Sequence, residues 1–129
     1  MRKRPRLHSR AGLTGHLVLA TLHTKNTLSC LQLLKNLGVE RVLIVDTPLL
    51  VLSQRLVRST VGGRLPIYEL LRLGETLQER LRRQLATDKL LAPYPGLYFR
   101  SIAQTAKRML HDRLVRKEEL EPILPIDLD

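Results

Sequence analysis

The chain has 129 residues and a formal net charge of +10, and 43% of its residues are hydrophobic, which predicts one basic folded domain rather than a disordered chain. Nearly a quarter of the residues are leucine and only 3% are aromatic, so we expect an aliphatic core, and an aromatic platform that stacks single-stranded nucleic acid is poorly supported. The single cysteine excludes an intrachain disulfide framework and a thiolate zinc cluster, and no apolar run reaches the roughly 20 residues of a membrane span.

The start of the chain carries much of the positive charge. Residues 1–26 contain six Lys or Arg and no acidic residue, whereas residues 100–129 contain six basic and six acidic residues. Because short charged termini are usually solvated, we predict that residues 1–10 form a disordered basic arm. An arm that binds phosphate backbones is the alternative interpretation.

The first predicted elements are a strand and a helix. His16–His23 (HLVLATLH) is a short apolar run with little alternation, which is typical of a strand buried on both faces of a mainly parallel sheet. Asn26 then resembles a helix N-cap, leucines follow at helical spacing from Leu28, and Gly38 suits the position that ends a helix. Strand, polar turn and helix in this order indicate an α/β unit.

A second helical region is predicted over residues 39–58. Thr47 and Pro48 resemble an N-cap followed by proline at the first helical position. The inward stripe of this region would consist of Leu49, Leu52 and Leu56. After a turn at residues 60–63, residues 64–71 are predicted to form a strand, and Pro66 favours an edge position for it.

The rest of the chain is predicted to be mainly helical. Residues 75–86 carry Leu77, Leu81 and Leu85 at every fourth position, which indicates an amphipathic helix. Residues 92–96 contain two prolines and a glycine and are predicted to be a loop. Two more helices are predicted, one with an apolar stripe from Ile102 to Leu114 and a short one over residues 118–124, limited by Pro122 and Pro125. Because two strands rarely form a stable sheet alone, we expect a helix-rich fold of marginal stability with an exposed strand edge.

The sequence contains few signals of catalytic chemistry. It has no Gly-x-x-x-x-Gly-Lys-[Ser/Thr] motif, and Gly62-Gly63 is too short to replace the loop that holds a triphosphate. Cys30 is interpreted as a small core residue rather than a nucleophile paired with His23. Because His16 and His23 are seven residues apart, strand alternation places them on opposite faces, which argues against a shared metal. No metal site is predicted.

Several short motifs in one order carry a family resemblance. Thr14–Thr24 (TGHLVLATLHT) resembles the histidine box of the secretion and pilus-assembly ATPases, which power type II secretion, type IV pilus assembly and DNA-uptake pseudopili. Leu33–Glu40 resembles the helix and turn that follow this box. Ser53–Val57 (SQRLV) resembles the family's Ala-Gln-Arg-Leu-Val helix, and Gly63–Leu71 (GRLPIYELL) its Gly-Arg-x-x-Ile-Tyr-Glu segment. The likeness covers residues 11 to about 124 and weakens after the last of these motifs.

The resemblance implies a fold, partners and site residues. The fold would be α/β, a partial RecA-like core of the P-loop NTPase type, with the core fragment at residues 11–71 and a C-terminal helical subdomain at residues 72–129. The family works as a cytoplasmic hexameric ring that uses ATP and Mg²⁺ and acts on a platform protein of the bacterial inner membrane. By resemblance His16 and His23 are the two box histidines near the nucleotide, and Arg55 is the arginine of the Gln-Arg-Leu motif, facing the ring or the nucleotide.

Two departures from the family decide the functional hypothesis. The family's P-loop, Asp box and Walker B segment precede its histidine box, but only about thirteen residues precede Thr14 here. Many relatives also carry a four-cysteine zinc insert where Ser59–Gly62 stands in this chain. We therefore interpret the chain as a C-terminal fragment of such an ATPase that is inactive alone and binds no nucleotide by itself. The alternatives are a non-catalytic module that docks on a full-length ATPase or its platform protein, and a basic nucleic-acid-binding protein.

Overall fold

The computed structural model describes residues 11–12, 14–48, 50–84 and 86–124. After residue 26 its regular elements are short helices and three strands. In chain order they are α1 (Thr27–Asn36), α2 (Arg41–Asp46), β1 (Leu50–Arg58), β2 (Arg64–Arg72), α3 (Glu75–Arg82), α4 (Thr87–Leu90), β3 (Phe99–Arg100), α5 (Ile102–His111) and α6 (Lys117–Leu120). Within these ranges no helix is long and apolar enough to cross a membrane.

The three strands form one antiparallel sheet in the order β1-β2-β3. β1 and β2 are paired along their full nine residues, with Arg55 opposite Ile67. Gly62 and Gly63 close this hairpin with φ angles of 101° and 72°, a left-handed conformation that glycine adopts without steric cost. β3 adds only two residues to the other side of β2.

The helices pack on one face of the sheet in two aliphatic clusters. At one end, Val51 and Leu71 lie against α1, α2 and α3, and at the other end Val57 and Ile67 lie against α5 and α6. The helical partners in the first cluster include Leu31, Leu43, Ile44 and Leu77, and those in the second include Ala106, Met109 and Leu120. The core is aliphatic, as the composition predicts. Between the two clusters lies a polar stretch of the sheet that includes Ser53 and Glu69.

The Gln-Arg-Leu segment is a strand, and the predicted helix there is wrong. The region over residues 39–58 contains the short helix α2 and then the strand β1. Leu52 and Leu56 are 51% and 57% exposed, whereas Val51 and Val57 are buried. Alternate residues thus share a face, as β-branched valines at period two favour. In a chain so rich in leucine, spacings of three and four residues arise without a helix.

The histidine segment is not a paired strand. Residues 16–24 form neither helix nor strand, and Leu17 and Leu19 are 81% and 89% exposed. The predicted strand buried on both faces is therefore wrong for the structure described. A buried parallel strand needs backbone partners at its edges and helices over both faces, and the described residues supply neither.

Several local predictions are confirmed. The Asn26 side chain accepts a hydrogen bond from the Ser29 amide at 2.7 Å and caps α1, and Gly38 follows the helix with a φ of 79°. Helices α3 and α5 lie within the predicted regions, and residues 92–96 are a loop. The last helix is shorter than predicted, and Leu114 lies beyond the end of α5 and is exposed rather than part of its stripe.

The edge position predicted for the strand that contains Pro66 is wrong, because β2 is the central strand of the sheet. The Arg72 amide donates to the Tyr98 carbonyl at 3.0 Å, so even-numbered residues of β2 direct their backbone groups to the β3 side. β3 does not reach Pro66, which lacks the N–H that would be unpaired there. Farther along the same side, the Tyr68 carbonyl accepts the Thr105 hydroxyl of α5 at 2.8 Å.

Some predictions fall on residues outside the described ranges. These are the basic arm of residues 1–10 and the positions of Leu49, Leu85 and Pro125.

Candidate functional site

The C-terminal end of the histidine segment is fixed to the polar stretch of the sheet. Glu69 on β2 accepts two hydrogen bonds from Thr27, the first residue of α1, at 2.9 Å from the backbone amide and 2.7 Å from the hydroxyl. Ser53 on β1 donates to the Lys25 carbonyl at 3.3 Å. Because Ser53 and Glu69 are direct partners in the β1–β2 register, two adjacent side chains hold the chain where it leaves the histidine segment.

Glu69 acts as a tertiary cap on α1. The first amides of a helix lack intrahelical partners. The Asn26 side chain binds the Ser29 amide, and Glu69 binds the Thr27 amide. Thr27 is fully buried, so its hydroxyl requires a partner, and a carboxylate at a helix N-terminus is also favoured by the helix dipole. This contact fixes the start of α1 to strand β2.

His16 lies at the other end of the segment in a turn. Its Nδ1 atom is 3.0 Å from the Thr14 hydroxyl, which donates to the Ala11 carbonyl at 2.9 Å. A Cβ atom on Gly12 would overlap the Thr47 methyl group, so this turn packs directly on the end of α2. His16 itself is exposed.

His23 is exposed two residues before the anchored Lys25 carbonyl. Between the two histidines, Leu17 and Leu19 are exposed as well. The segment is therefore attached to the body of the protein near both ends, and its middle presents side chains to solvent.

Arg55 lies on the helix-covered face of β1 and is half-buried between Ser53 and Val57. In the part of the chain that the structure describes, no hydrogen bond or ion pair joins it to His16 or His23. The structure thus places the three predicted site residues on two separate features, the exposed segment and the sheet, and corrects the helical position expected for Arg55.

Cys30 packs against the first aliphatic cluster, as expected of a core residue. Burial raises the pKa of its thiol above the ordinary value. A raised pKa lowers the thiolate fraction at neutral pH, and the thiolate is the nucleophilic form. Cys30 is therefore unsuited to nucleophilic catalysis.

Sequence reasoning missed Ser53 and Glu69 as site residues. Ser53 and Glu69 are recognisable as neighbours only once β1 is taken as a strand paired with β2. The helical interpretation of β1 concealed that signal.

The described residues do not form a complete site for a nucleotide with Mg²⁺. His16, His23 and Lys25 can donate hydrogen bonds to phosphate oxygens. Mg²⁺ prefers carboxylate and hydroxyl oxygens, and Glu69 is already bonded to Thr27. Among the described residues no three His, Cys, Asp or Glu side chains are placed to hold a metal ion. No step of hydrolysis can be derived from these residues alone.

Comparison with known proteins gives a match to one protein family over nearly half of the chain. Residues 2–62 match the family model described as "Type II/IV secretion system protein". The match starts at residue 2, so the basic arm lies inside it, whereas the motif comparison had left the arm outside.

Curated relatives match over short stretches. The chain is 49% identical over 59 residues to the protein transport protein HofB homolog of Haemophilus influenzae, covering 43% of this chain and 13% of that protein. It is 54% identical over 48 residues to type II secretion system protein E of Klebsiella pneumoniae, covering 37% and 10%. With the type IV pilus assembly ATPase TfpB of Acinetobacter baylyi it shares 57% identity over 49 residues, 38% of this chain and 8% of that protein. The chain thus spans about a tenth of the length of these relatives.

Solved structures extend the likeness to the whole fold. The ATPase DotB of Yersinia pseudotuberculosis superimposes with a TM-score of 0.77 at 22% identity, covering 95% of this chain and 34% of DotB. DotB of Legionella pneumophila gives a TM-score of 0.74 at 21% identity, covering 89% and 34%. At this identity the likeness establishes the fold, a partial α/β fold of the P-loop type, and the predicted fold class is confirmed.

Proposed function

Because residues 2–62 match the family of type II/IV secretion system proteins, we propose that the chain is a member of it and forms part of an ATPase that powers type II secretion or the assembly of a type IV pilus or pseudopilus. Its part in that motor is to present the histidine segment to a nucleotide held outside these 129 residues. By themselves the 129 residues do not hydrolyse ATP.

The exposed and anchored histidine segment is the observation that supports this proposal. Ser53 and Glu69 fix its C-terminal end at Lys25 and Thr27, while both histidines face solvent. Residues 11–26 include Lys25 and no acidic residue. A segment with cationic and N–H donors and no carboxylate suits contact with phosphate oxygens, whose negative charge such donors stabilise.

The proposed inactivity of the chain alone follows from what phosphoryl transfer requires. The reaction depends on a glycine-rich loop with a lysine that holds the phosphates, on Mg²⁺ and on a residue that positions the nucleophile. The sequence has no such loop motif. ATP and Mg²⁺ would therefore bind to other parts of the assembly, and His16 and His23 would supply only additional donors.

The proposed partners follow from the family. They are full-length ATPase subunits in a hexameric ring and the platform protein of the inner membrane, so the chain would work at the cytoplasmic side of that membrane. Neighbouring subunits of a ring can share a nucleotide-binding site. A chain without its own phosphate-binding loop can therefore contribute side chains to a site whose nucleotide is held by another subunit.

Phosphate release from Mg²⁺–ATP by the purified chain tests the inactivity. We expect the rate of the buffer alone, unchanged in His23→Ala and in the control His111→Ala, which alters an exposed histidine on α5. Hydrolysis that His23→Ala abolishes and His111→Ala preserves would contradict the proposal.

A docking module is the second candidate function, and the outer face of the hairpin favours it. Leu50, Leu52 and Leu56 are all more than half exposed on that face. A module that only docks would bind a full-length ATPase equally well with or without His16 and His23. For a nucleic-acid-binding function the motivating residues, 2–10, lie outside the described ranges, and no described feature supports it.

A further inference from the structure

A groove between the central strand and α5 gathers most of the aromatic side chains of the protein. It has a volume of about 800 Å³, and its walls are formed by β2, by the residues around β3 and by α5. The whole sequence contains three tyrosines and one phenylalanine, and three of these four residues line the groove: Tyr68, Tyr98 and Phe99. The fourth, Tyr94, lies against Arg80. The fold therefore concentrates a scarce residue type in one place.

The strand register places this groove on the face of the sheet that lies opposite to the two aliphatic clusters. Arg100 on β3 is the register partner of Leu70 on β2. Because alternate residues of a strand share a face, Tyr68, Tyr98 and Arg100 lie on one side of the sheet, and the buried Leu71 lies on the other. Tyr98 is 51% exposed. The groove thus opens to solvent along the sheet, with α5 as one wall.

The positive charge in the groove is not neutralised by the residues that the structure describes. The Arg100 guanidinium has no hydrogen bond or ion pair with any of them. Arg108 on α5 is 72% exposed, and its Nε atom lies 3.9 Å from the Asp112 carboxylate, which is a long distance for an ion pair. Asp112 is the one acid among the described residues that line the groove. The exposed Arg64 and Arg72, at the two ends of β2, add charge of the same sign.

We propose that this groove binds an acidic segment that lies outside these 129 residues, with its carboxylates on Arg100 and Arg108 and its apolar side chains against Tyr68 and Tyr98. Guanidinium groups hold carboxylates through paired N–H donors. Tyrosine and arginine are also the residue types enriched at the energetic centres of protein interfaces. Apolar side chains of β2 and α5 and of the turn after α5 complete the lining: Leu65, Pro66, Met109 and Leu114.

Side chains rather than the backbone carry this recognition. Pro66 has no N–H, and the Tyr68 carbonyl already accepts the Thr105 hydroxyl at 2.8 Å. The edge of β2 beside the groove therefore offers few backbone groups to an added strand. An uncharged apolar ligand would cover both guanidinium groups without giving them a partner, and that is unfavourable. The occupant must therefore contain carboxylates as well as apolar side chains.

Fluorescence anisotropy with a labelled peptide tests the proposal. The probe is a fluorescein-labelled peptide in which glutamate and leucine alternate, and its control is the same peptide with lysine in place of each glutamate. At physiological salt we expect saturable binding of the glutamate peptide alone. Arg100→Glu and Arg108→Glu should each weaken it by at least about tenfold, because each replaces an attractive charge pair with a repulsive one. Lys35→Glu makes the same change in net charge at an exposed position of α1 outside the groove and should bind like the wild type.

The fold of each variant is verified by circular dichroism, and the strongly exposed Arg108 decides the test if Arg100→Glu does not fold. Tyr98→Ala should also weaken binding, because it removes apolar contact area. Since the chain has a net charge of +10, binding that Lys35→Glu weakens as much as Arg108→Glu would reveal attraction to net charge alone and would overturn the proposal. Equal binding of the lysine peptide, or no binding of the glutamate peptide, would overturn it as well. None of these results bears on the proposed role of the histidine segment.

Discussion

The carboxylate of Glu69 and the first residue of α1, Thr27, are joined by two hydrogen bonds although 42 residues separate them in the chain. This pair connects the central strand to the end of the histidine segment. We expect Glu69→Ala to lower the free energy of unfolding by about 2–3 kcal/mol, because it leaves a buried amide and hydroxyl without partners. Urea denaturation measures the loss, with Glu121→Ala as a control at an exposed acid.

The same pair allows a double-mutant cycle. Thr27→Val removes the hydroxyl at nearly constant volume, and Glu69→Gln keeps one acceptor oxygen. Because the two side chains share a hydrogen bond, their combined cost should fall short of the sum of the single costs by about 1 kcal/mol. Additive costs would mean that the two side chains do not interact in solution.

Substitutions on opposite sides of β1 test which face of the strand is buried. Val57→Ala should cost about 2 kcal/mol, because Val57 is buried in the second cluster. Leu56→Thr should change the stability little, since Leu56 is exposed and threonine suits a strand. If Leu56→Thr were the more damaging substitution, the helical interpretation of this segment would regain support.

The sequence was sufficient where a local signal decides the structure. Asn26 as a cap and Gly38 after a helix each follow from the conformation or hydrogen bonding of one residue. β1 was mistaken for a helix because short leucine-rich stretches satisfy both periods. The histidine segment was predicted to be a strand because its composition is that of one, but a strand also depends on long-range partners.

The candidate site was likewise only partly predictable from the sequence. The histidines follow from motif resemblance, and their roles and the domain boundaries after residues 10 and 71 stay predictions. The contacts of Ser53 and Glu69 depend on cross-strand register, which no short motif contains.

Arg80 holds the loop between α4 and β3. Its guanidinium donates to the carbonyls of Lys89, Leu90 and Ala92 at 2.7–3.1 Å and lies 4.5 Å from the centre of the Tyr94 ring. Arg80→Lys should destabilise the protein by about 1 kcal/mol and speed hydrogen exchange in this loop, because an ammonium is more strongly hydrated and cannot stack a planar group on the Tyr94 ring.

Arg83→Lys provides the matched control for Arg80→Lys. Arg83 is largely exposed and pairs only with Glu79, so its substitution should change neither stability nor exchange in the loop. Equal effects of the two substitutions would contradict the role of Arg80.

The buried thiol of Cys30 predicts a pH dependence of stability. Burial raises its pKa in the folded state above the ordinary 9.0, so near and above that pH the folded state holds more protons than the unfolded state. Stability should therefore fall as the pH rises through 9.0, because the unfolded thiol ionises first. The free energy of unfolding of Cys30→Ala, measured from pH 7 to 10, should decline less than that of the wild type, and parallel declines would contradict the assignment.

The claim that the histidine segment serves a nucleotide held by another chain is tested most directly by adding this chain to a related ATPase. The measurement is the rate of Mg²⁺–ATP hydrolysis by the type IV pilus assembly ATPase TfpB of Acinetobacter baylyi at increasing concentrations of this chain. We predict a saturable change in rate that the double substitution His16→Ala and His23→Ala removes and His111→Ala preserves. A rate that stays flat over the titration, or a change that survives the loss of both histidines, would contradict the account.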